Sequence, residues 1–372
     1  MSEYWKRQRS DAPHAKSLFF DARYIRTDFH DGISRYATEL GNALARHEKV
    51  TFIISDKEQL KFLPDGSEHV MLHPVTSWRE PFSAFWLNKF DPDVVVTPLQ
   101  TLGGLGRRFK MVLTVQDLTY YKHRTPPPQF SPLVRFVWWL YHLTYIPERI
   151  ILTGADLVAT ISETVKHEIH DARLTKKPVV VVPNAARDLS EFLKKPAHVA
   201  GKPKNLVYMG AFIPYKNAET LIQALAFITP HRTLHLLSRI KPNRRAELEK
   251  LIPEGTKVVF HDGVTDEDYA YLLADDAIMV SASKAEGFGL PVVEAQALGV
   301  ACVVSDIDIF HEVAGDSALY ANPDDPQNFA AKIASLDDKK LRDEMITKGK
   351  QNAARYTWDN SAKSLLAAIK EI

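Results

Sequence analysis

The feature that most constrains this chain is an alternation of short β-branched runs with longer segments of helical periodicity. Apolar runs such as 93–98 and 110–115 are almost continuous, and helical segments such as 32–47 lie between them. Strands that are apolar on both faces and joined by helices are typical of a parallel sheet covered on both sides. The strands predicted for the first half are 17–23, 50–55, 93–98, 110–115, 155–162 and 178–184, with helices at 32–47 and 162–173.

The alternation restarts after a polar stretch with Pro and Gly at 194–205, which we interpret as a linker. The second set comprises strands 205–210, 233–238, 257–263, 277–283 and 301–306, and helices 217–228, 243–252, 266–274, 291–298, 325–336 and 339–356. A chain of 372 residues is too long for one compact core. We therefore predict two doubly wound α/β domains, with ligands at the carboxyl ends of their strands.

These patterns divide the chain into four segments. We expect a flexible basic tail at 1–16, an N-terminal domain at 17–190 and a C-terminal domain at 191–356. A last helix, 357–372, is expected to pack back toward the N-terminal domain.

Composition limits the classes of partner and the cellular compartments that fit this chain. The net charge of +1 gives no electrostatic case for nucleic acid as the main partner. The single cysteine, Cys302, lies in an apolar run, so we expect a buried thiol, and no disulfide can form within the chain. The start of the chain lacks the apolar segment of a signal peptide. These features favour a reducing, cytoplasmic location.

The most apolar aromatic stretch, FVWWLYHLTYI at 136–146, is 11 residues long. A membrane-spanning helix needs about 20 apolar residues, so this stretch is too short to cross a bilayer. It fits an ordinary core helix, which is the commoner case. The alternatives are that its aromatic side chains cover an acceptor cleft or rest in a lipid interface. A peripheral contact with the inner face of a membrane therefore stays open.

The stretch that bears most directly on function is SASKAEGFGLPVVEAQALGVACVVSD, residues 281–306. Glu286 precedes a Gly-Phe-Gly loop, and Pro291 fits the first turn of a helix. Such a loop offers backbone N–H groups and the positive end of the helix dipole to a phosphate. Glu286 and Glu294 should lie ~10 Å apart, about the separation of a ribose and a sugar across a diphosphate. Carboxylates accept hydrogen bonds from paired hydroxyls, so a nucleotide-sugar site in a solvated cleft is predicted.

The segment EGFGLPVVE, 286–294, resembles the EX7E motif of retaining glycosyltransferases of family 4. Other segments match that family in the same order: 21–40, 155–163, 179–185, 206–225, 312–330 and 356–362. The resemblance implies the GT-B fold, in which two Rossmann-like domains face a central cleft. It also implies transfer of a hexose from a nucleoside diphosphate sugar to a glycan or glycolipid acceptor, with retention of configuration. Mannose from GDP-mannose is the preferred donor, because many relatives with similar motifs are mannosyltransferases.

Roles for individual residues follow from the same resemblance. Glu294 is expected to bind the ribose diol, Glu286 the donor sugar and Lys216 the diphosphate, whose charge grows as the glycosidic bond breaks. The implied donor-binding residues are Gly32, Gly210, Lys216, Glu286, Phe288, Gly289, Leu290 and Glu294. The implied catalytic residues are Glu286, Lys216 and Gln116, and the acceptor-side residues are Asp117, Arg35 and Trp138. No cofactor beyond the donor and no metal is implied.

Two positions depart from the family pattern. Many members carry an arginine where this chain has Ala211, and the family often has a histidine where this chain has Gln116. Glutamine can hydrogen-bond a sugar hydroxyl but cannot carry a proton. These departures keep two alternatives open, a catalytically silent sugar-nucleotide-binding protein and a GT-B sugar-nucleotide epimerase. The intact pair of Glu286 and Glu294 argues against both.

Two D-x-D pairs, Asp91 with Asp93 and Asp306 with Asp308, have the spacing of a metal–diphosphate motif found in another glycosyltransferase fold. One contains a proline and precedes a predicted strand, and the other follows a strand. We interpret both as loop acids and predict a donor site without metal. The glycine run at 102–108 lacks the G-x-G-x-x-G spacing of a dinucleotide site.

Overall fold

A computed structural model describes residues 17–28, 31–126, 131–194 and 201–372. It contains two parallel β-sheets, and each sheet has a buried apolar cluster on both of its faces. The predicted fold class, two doubly wound α/β domains, is confirmed. The predicted tail at 1–16 and residues 195–200 of the predicted linker lie outside the described residues.

The N-terminal sheet has seven strands in the described residues, in the order β3-β2-β1-β4-β5-β6-β7. Its strands are β1 (Leu18–Asp21), β2 (Val50–Ile54), β3 (His69–Met71), β4 (Val94–Thr97), β5 (Lys110–Val115), β6 (Leu157–Thr160) and β7 (Val179–Val181). Its helices are α1 (Gly32–His47), α2 (Ser83–Leu87), α3 (Thr119–Lys122), α4 (Pro132–Tyr141), α5 (Ile146–Thr153) and α6 (Glu163–Asp171).

The C-terminal sheet has six strands in the described residues, in the order β10-β9-β8-β11-β12-β13. Its strands are β8 (Asn205–Tyr208), β9 (Thr233–Leu236), β10 (Lys257–Phe260), β11 (Ala277–Ser281), β12 (Ala301–Ser305) and β13 (Leu319–Ala321). The remaining helices are α7 (Ala218–Ala224), α8 (Pro242–Glu249), α9 (Asp266–Ala274), α10 (Leu290–Leu298), α11 (Asp308–Ala314), α12 (Pro326–Ser335), α13 (Lys339–Ala353) and α14 (Trp358–Lys370). Cys302 lies in β12 and is fully buried, as predicted.

Every strand predicted from the sequence is present, although most are shorter than the apolar run that predicts them. Two strands, β3 and β13, have no counterpart among the predicted strands. Each is three residues long and lies at the edge of its sheet, so it has a neighbouring strand on only one side. Short edge strands lack the continuous apolar run that identifies a central strand.

Both sheets reverse their strand order at one point, between β1 and β4 in the first and between β8 and β11 in the second. Loops that follow neighbouring strands at such a point diverge to opposite faces of the sheet. They leave a crevice at the carboxyl ends of the strands, where ligands bind in open α/β sheets. Residues after β8 and β11 therefore occupy the natural ligand position of the C-terminal domain.

The aromatic stretch 136–146 does not form one core helix. It is divided between α4, which ends at Tyr141, and α5, which begins at Ile146. Helix α4 has no buried residue within the described part of the chain, so the core-helix expectation is wrong. No helix among the described residues is long and apolar enough to cross a bilayer.

The last helix, α14, packs against α1 of the N-terminal domain. Leu365 is fully buried in the same apolar cluster as Leu40 and Leu44 of α1. The Trp358 ring meets Tyr36 edge-on, with 5.8 Å between ring centroids. The chain thus crosses from the C-terminal sheet to complete the core of the N-terminal one.

Replacing Leu365 with alanine tests this packing. Removal of a buried leucine side chain leaves a cavity, so we expect the free energy of unfolding to fall by about 2–5 kcal/mol. The neighbouring Ser364 is exposed, and Ser364→Ala should change that free energy by less than about 0.5 kcal/mol. Thermal melting and hydrogen exchange of the α1 amides would measure the effect. Unchanged protection of α1 in Leu365→Ala would contradict the packing described.

Candidate functional site

The carboxyl edges of the two sheets meet, and specific hydrogen bonds join the domains there. Ser162 Oγ, just after β6, donates to the carbonyl oxygen of Gly287 at 3.0 Å. The Glu312 carboxylate of α11 accepts from the backbone N–H groups of Glu163 and Thr164, each at 2.7 Å. This carboxylate caps the first turn of α6 across the domain boundary. The candidate site is therefore built from both domains.

The loop between β11 and α10 has no room for side chains at two of its positions. A Cβ at Gly287 would lie 2.8 Å from the carbonyl oxygen of Gln116, in the other domain. Gly289 has φ of +93°, and a Cβ there would lie 2.6 Å from the Phe310 ring. Glycine is needed at both positions, at the first for the close approach and at the second for the left-handed backbone as well.

The same loop presents unbonded amides at the start of α10. Within the described residues, the N–H groups of Phe288, Gly289 and Leu290 bond to no protein acceptor. The first N–H groups of a helix have no partner inside the helix, and they carry the positive end of its dipole. An anion at this point would satisfy them.

Lys216 and Glu286 meet in the crevice of the C-terminal sheet. Lys216 follows β8, Glu286 follows β11, and these two strands are neighbours at the reversal point. The Lys216 Nζ to Glu286 Oε2 distance is 2.5 Å. Ser283 Oγ donates to the other carboxylate oxygen of Glu286 at 2.8 Å. The structure thus brings together the lysine and the carboxylate that the sequence assigns to diphosphate and sugar.

Glu294 lies in a buried network of charges rather than in the solvated cleft that we expected, so that expectation is wrong. Its side chain is 3% exposed, and Oε1 accepts from Arg187 Nε at 2.9 Å and from Arg35 Nη1 at 3.3 Å. Both arginines also pair with Asp266, at the first position of α9. Arg35, which the sequence suggests for the acceptor side, thus contacts the carboxylate suggested for the ribose.

Burial raises the pKa of Glu294 to about 7, because a charged carboxylate loses its hydration there. The charge of Arg187 lowers that pKa and the charge of Asp266 raises it, but burial has the largest effect. Glu294 therefore changes its charge near neutral pH.

Gln116 and Asp117 follow β5 at the edge of the cleft. The Gln116 side-chain Nε2 donates to the carbonyl oxygen of Pro98 at 2.9 Å. Asp117 Oδ1 accepts from the backbone N–H of Thr119 at 2.8 Å and so shapes the turn into α3. The carbonyl oxygen of Gln116 faces Gly287, which places this turn against the glycine loop.

The two remaining predicted glycines differ in their surroundings. Gly32 is the first residue of α1, and a Cβ there would meet no atom within 4 Å. Gly210 follows β8, and a Cβ there would lie 2.7 Å from the Tyr208 hydroxyl, which donates to the carbonyl oxygen of Ala211. Gly32 therefore faces open space, and Gly210 is required by packing.

A guanidinium lies on the loop where the family arginine is missing. Arg244 Nε donates to the carbonyl oxygen of Phe212 at 2.9 Å, one residue after Ala211. Its charge is already paired with Glu219 and Glu247. It is thus bound to protein carboxylates rather than free to replace the missing cation.

Trp138 is half-buried and connects to the cleft through α3. Its ring lies edge-on to Tyr120 of α3, with 5.0 Å between centroids. His123, just after α3, stacks on Tyr215 of the other domain at 5.2 Å, directly before Lys216. Trp138 therefore does not border the cleft itself but contacts Tyr120 in α3, the helix that follows the turn at the cleft edge.

The sequence reasoning missed Arg187 and Asp266. Arg187 follows β7, 107 residues before Glu294. No local motif relates the two positions, and nothing in the composition of either segment signals their contact. The fold alone brings them together.

One acid of each D-x-D pair has a side-chain partner within the protein. Asp306 Oδ1 lies 2.6 Å from His311 Nε2, and Asp93 Oδ2 accepts from the Ser17 backbone N–H at 2.7 Å. Among the residues that the structure describes, no group of three or more His, Cys, Asp or Glu is placed to hold a metal ion.

Two family models match the chain. The model described as Glycosyltransferase Family 4 matches residues 30–187, and the model described as Glycosyl transferases group 1 matches residues 190–352. The first model covers β2 to β7 of the N-terminal sheet, and the second covers β8 to β13 of the C-terminal sheet.

Several curated proteins are similar in sequence. O-antigen chain mannosyltransferase B of Escherichia coli is 33% identical over 171 residues, which is 44% of this chain and 45% of that protein. O-antigen chain mannosyltransferase RfbU of Salmonella typhimurium is 29% identical over 207 residues, 55% of this chain and 56% of that protein. The MMP alpha-(1->4)-mannosyltransferase of Mycolicibacterium hassiacum is 28% identical, over 65% of this chain and 59% of that protein. The chain spans about half the length of the first two of these relatives.

Solved structures share the architecture at low identity. Sucrose-phosphate synthase from Thermosynechococcus elongatus aligns with a TM-score of 0.71 at 19% identity, over 96% of this chain and 99% of that one. HepE from Anabaena, in complex with UDP and glucose, aligns with a TM-score of 0.73 at 16% identity, over 96% and 100%. These likenesses show the GT-B fold. With that fold and both family models, the chain belongs to glycosyltransferase family 4.

Proposed function

We propose that this protein transfers a hexose from a nucleoside diphosphate sugar to a hydroxyl of a glycan or glycolipid, with retention of the α configuration. The observation that carries the proposal is the contact of Lys216 with Glu286, beside the free amides at the start of α10. The crevice then contains a cation, a helix end that can bind an anion, and a carboxylate that can accept hydrogen bonds from sugar hydroxyls. Mannose from GDP-mannose is the preferred donor, supported by the mannosyltransferase names of several relatives.

In the proposed complex the diphosphate lies between Lys216 and the first amides of α10. Glu286 then accepts from hydroxyls of the sugar, while Ser283 keeps its carboxylate oriented. Both guanidinium contacts to Glu294 use Oε1, so a ribose hydroxyl would approach Oε2. Gly32, with open space beside it, lets the α1 backbone approach the donor.

The proposed reaction breaks the bond between C1 of the sugar and the diphosphate oxygen, and the electron pair remains on that oxygen. Lys216 and the α10 amides stabilise the growing negative charge. The acceptor hydroxyl oxygen forms its bond to C1 on the same face, and its proton passes to the departing phosphate oxygen. Gln116 takes no proton. Its Nε2 is bonded to Pro98, which leaves Oε1 to accept from a sugar hydroxyl.

A panel of GDP-, UDP- and ADP-sugars tests the function. A donor at 100 times its dissociation constant should stabilise the fold by about 2.7 kcal/mol, seen as a thermal shift. The donor that stabilises should also be slowly hydrolysed without acceptor, and hydrolysis should continue in excess EDTA. Binding without any turnover would favour a silent binding protein, and an isomeric nucleotide sugar as product would favour an epimerase.

Lys216→Ala should lower the rate of donor cleavage by about 10²–10³, because removing one donor to a developing oxyanion typically has that effect. Lys284→Ala is the matched control, since Lys284 lies on the glycine-loop side of the cleft but pairs with Asp324. The control should lose less than about tenfold, and both variants should keep the wild-type melting temperature. A loss below tenfold in Lys216→Ala would show that another group stabilises the leaving diphosphate.

Donor binding should depend on pH through Glu294. With a pKa of about 7, Glu294 is mostly protonated at pH 6 and mostly charged at pH 8. A carboxylate accepts both ribose hydroxyls better than the acid does, so donor affinity should rise by up to about tenfold between these pH values. Titration calorimetry would measure this rise, and the exposed Glu267→Gln variant should retain it. Glu294→Gln should bind more weakly at pH 8 and show no such rise.

The stability of Glu294→Gln follows from the same raised pKa. The folded protein holds the Glu294 proton up to about pH 7, whereas the ordinary value is 4.5, so this group's contribution to stability is lost as the pH rises between these values. An uncharged amide avoids the burial of a charge. We therefore expect Glu294→Gln to melt no lower than the wild type at pH 8, which separates a binding defect from unfolding.

A further inference from the structure

The outer surface of α4 and α5 is unusually apolar. Eighteen large apolar side chains are exposed among the described residues, and eight of them lie between residues 133 and 150. These eight define the α4–α5 surface: Leu133, Val134, Phe136, Val137, Trp139, Leu140, Ile146 and Ile150. Their exposed fractions run from 40% for Trp139 to 72% for Leu133. Large apolar side chains that are exposed close together in the chain are typical of an interaction site, whereas single ones scattered over a surface are not.

Four of the six exposed apolar side chains of α4 lie on one face of the helix, and Val134 and Trp139 lie to either side of it. Leu133, Phe136, Val137 and Leu140 follow the i, i+3, i+4, i+7 spacing of a single stripe. The side of the helix that carries Trp138 contacts Tyr120 and His142 instead. The helix is therefore held to the domain by one side and presents the other outward.

The exposed charges of the segment that carries this surface are positive. In the described part of 119–154 the basic side chains are Lys122, His123, Arg124, Arg135, His142 and Arg149, and the only carboxylate is Glu148. Burial lowers the pKa of His123 and of His142, so the charge comes from the lysine and the arginines, of which Lys122 pairs with Glu168 of α6. Glu148 is 1% exposed and accepts from the hydroxyls of Tyr121 and Tyr141, each at 3.3 Å. No acidic side chain of this segment reaches the surface, so a negatively charged partner is favoured.

We propose that the α4–α5 surface docks on an anionic lipid bilayer, with α4 lying in the plane of the interface. An amphipathic helix that is apolar outward and flanked by arginines binds such a surface through both burial and charge. The indole of Trp139 suits the boundary between acyl chains and headgroups. A second copy of this chain is a poorer occupant, because a two-fold contact would bring together two segments whose exposed charges are positive.

The docked orientation would place the cleft near the bilayer. Trp138 of α4 contacts Tyr120 of α3, and His123 after α3 stacks on Tyr215 beside Lys216. The α4–α5 surface is thus adjacent to the turn that borders the cleft. This proposal goes beyond the proposed function and does not rest on it, since vesicle binding requires neither donor nor turnover.

Flotation of the full-length protein with vesicles tests the proposal. We expect binding to vesicles of equal phosphatidylcholine and phosphatidylglycerol, at least tenfold tighter than binding to pure phosphatidylcholine. At 1 M salt, where charges are screened beyond about 3 Å, the difference should largely disappear. Equal binding to both kinds of vesicle, or binding to neither, would overturn the proposal.

Variants assign the binding to this surface. Phe136→Ser with Leu140→Ser should weaken binding at least tenfold, because both substitutions withdraw apolar surface from the bilayer. Phe90→Ser with Phe227→Ser removes two similarly exposed side chains elsewhere and should bind as the wild type does. Arg135→Glu should weaken binding to anionic vesicles, whereas Lys89→Glu, an exposed control, should have a smaller effect.

Two further measurements distinguish a loss of lipid binding from misfolding and from dimerisation. Melting temperatures should be equal in all four variants, because each altered side chain is exposed. Weaker binding at an unchanged melting temperature then assigns the loss to the surface itself. Sedimentation velocity should show a monomer whose mass does not depend on concentration. A dimer that Phe136→Ser with Leu140→Ser abolishes would mean that a second copy covers the surface, and the proposal would be wrong.

Discussion

The contact between the glycine loop before α10 and the N-terminal domain is the constraint on which the candidate site depends. A Cβ at Gly287 would lie 2.8 Å from the Gln116 carbonyl oxygen, and the Gly287 carbonyl oxygen accepts from Ser162. Only a backbone without a side chain can pass this closely between two domains. The approach places the loop before α10, with its free amides, at the boundary between the two domains. Every proposed contact between the protein and the donor depends on that position.

Buried charge accompanies this close approach. Glu294 comes from the C-terminal domain, and the two arginines that bond it, Arg35 and Arg187, come from helix α1 and the segment after β7. Asp266 balances the second positive charge. Burial of a charge is costly unless the charge is paired, so separating the domains would leave these groups without partners. The proposed ribose contact and the relative position of the domains therefore involve the same side chains.

The α4–α5 surface, unlike the buried charges, is apolar and exposed. Nothing in the described part of the chain covers it, yet the opposite side of α4 is held by Trp138 and its aromatic neighbours. A chain that buries its other large apolar runs in two double-sided cores has no structural reason to leave this one exposed. Its position beside α3 places it next to the turn that borders the cleft.

The periodicity of the sequence determined the two parallel sheets, because strands buried on both faces must be continuously apolar and their helices amphipathic. It also determined that Glu286 and Gly289 precede a helix, since Pro291 and Gly299 delimit α10. Tertiary structure alone decided the burial of Glu294, whose partners are 107 and 259 residues away in the chain. It also decided that α4 lies outside the core. An apolar run predicts a helix that prefers nonpolar surroundings, but it does not show whether those surroundings are the core of the domain or another molecule at its surface. Local pattern encodes secondary structure, whereas contacts between distant side chains exist only after the chain has folded.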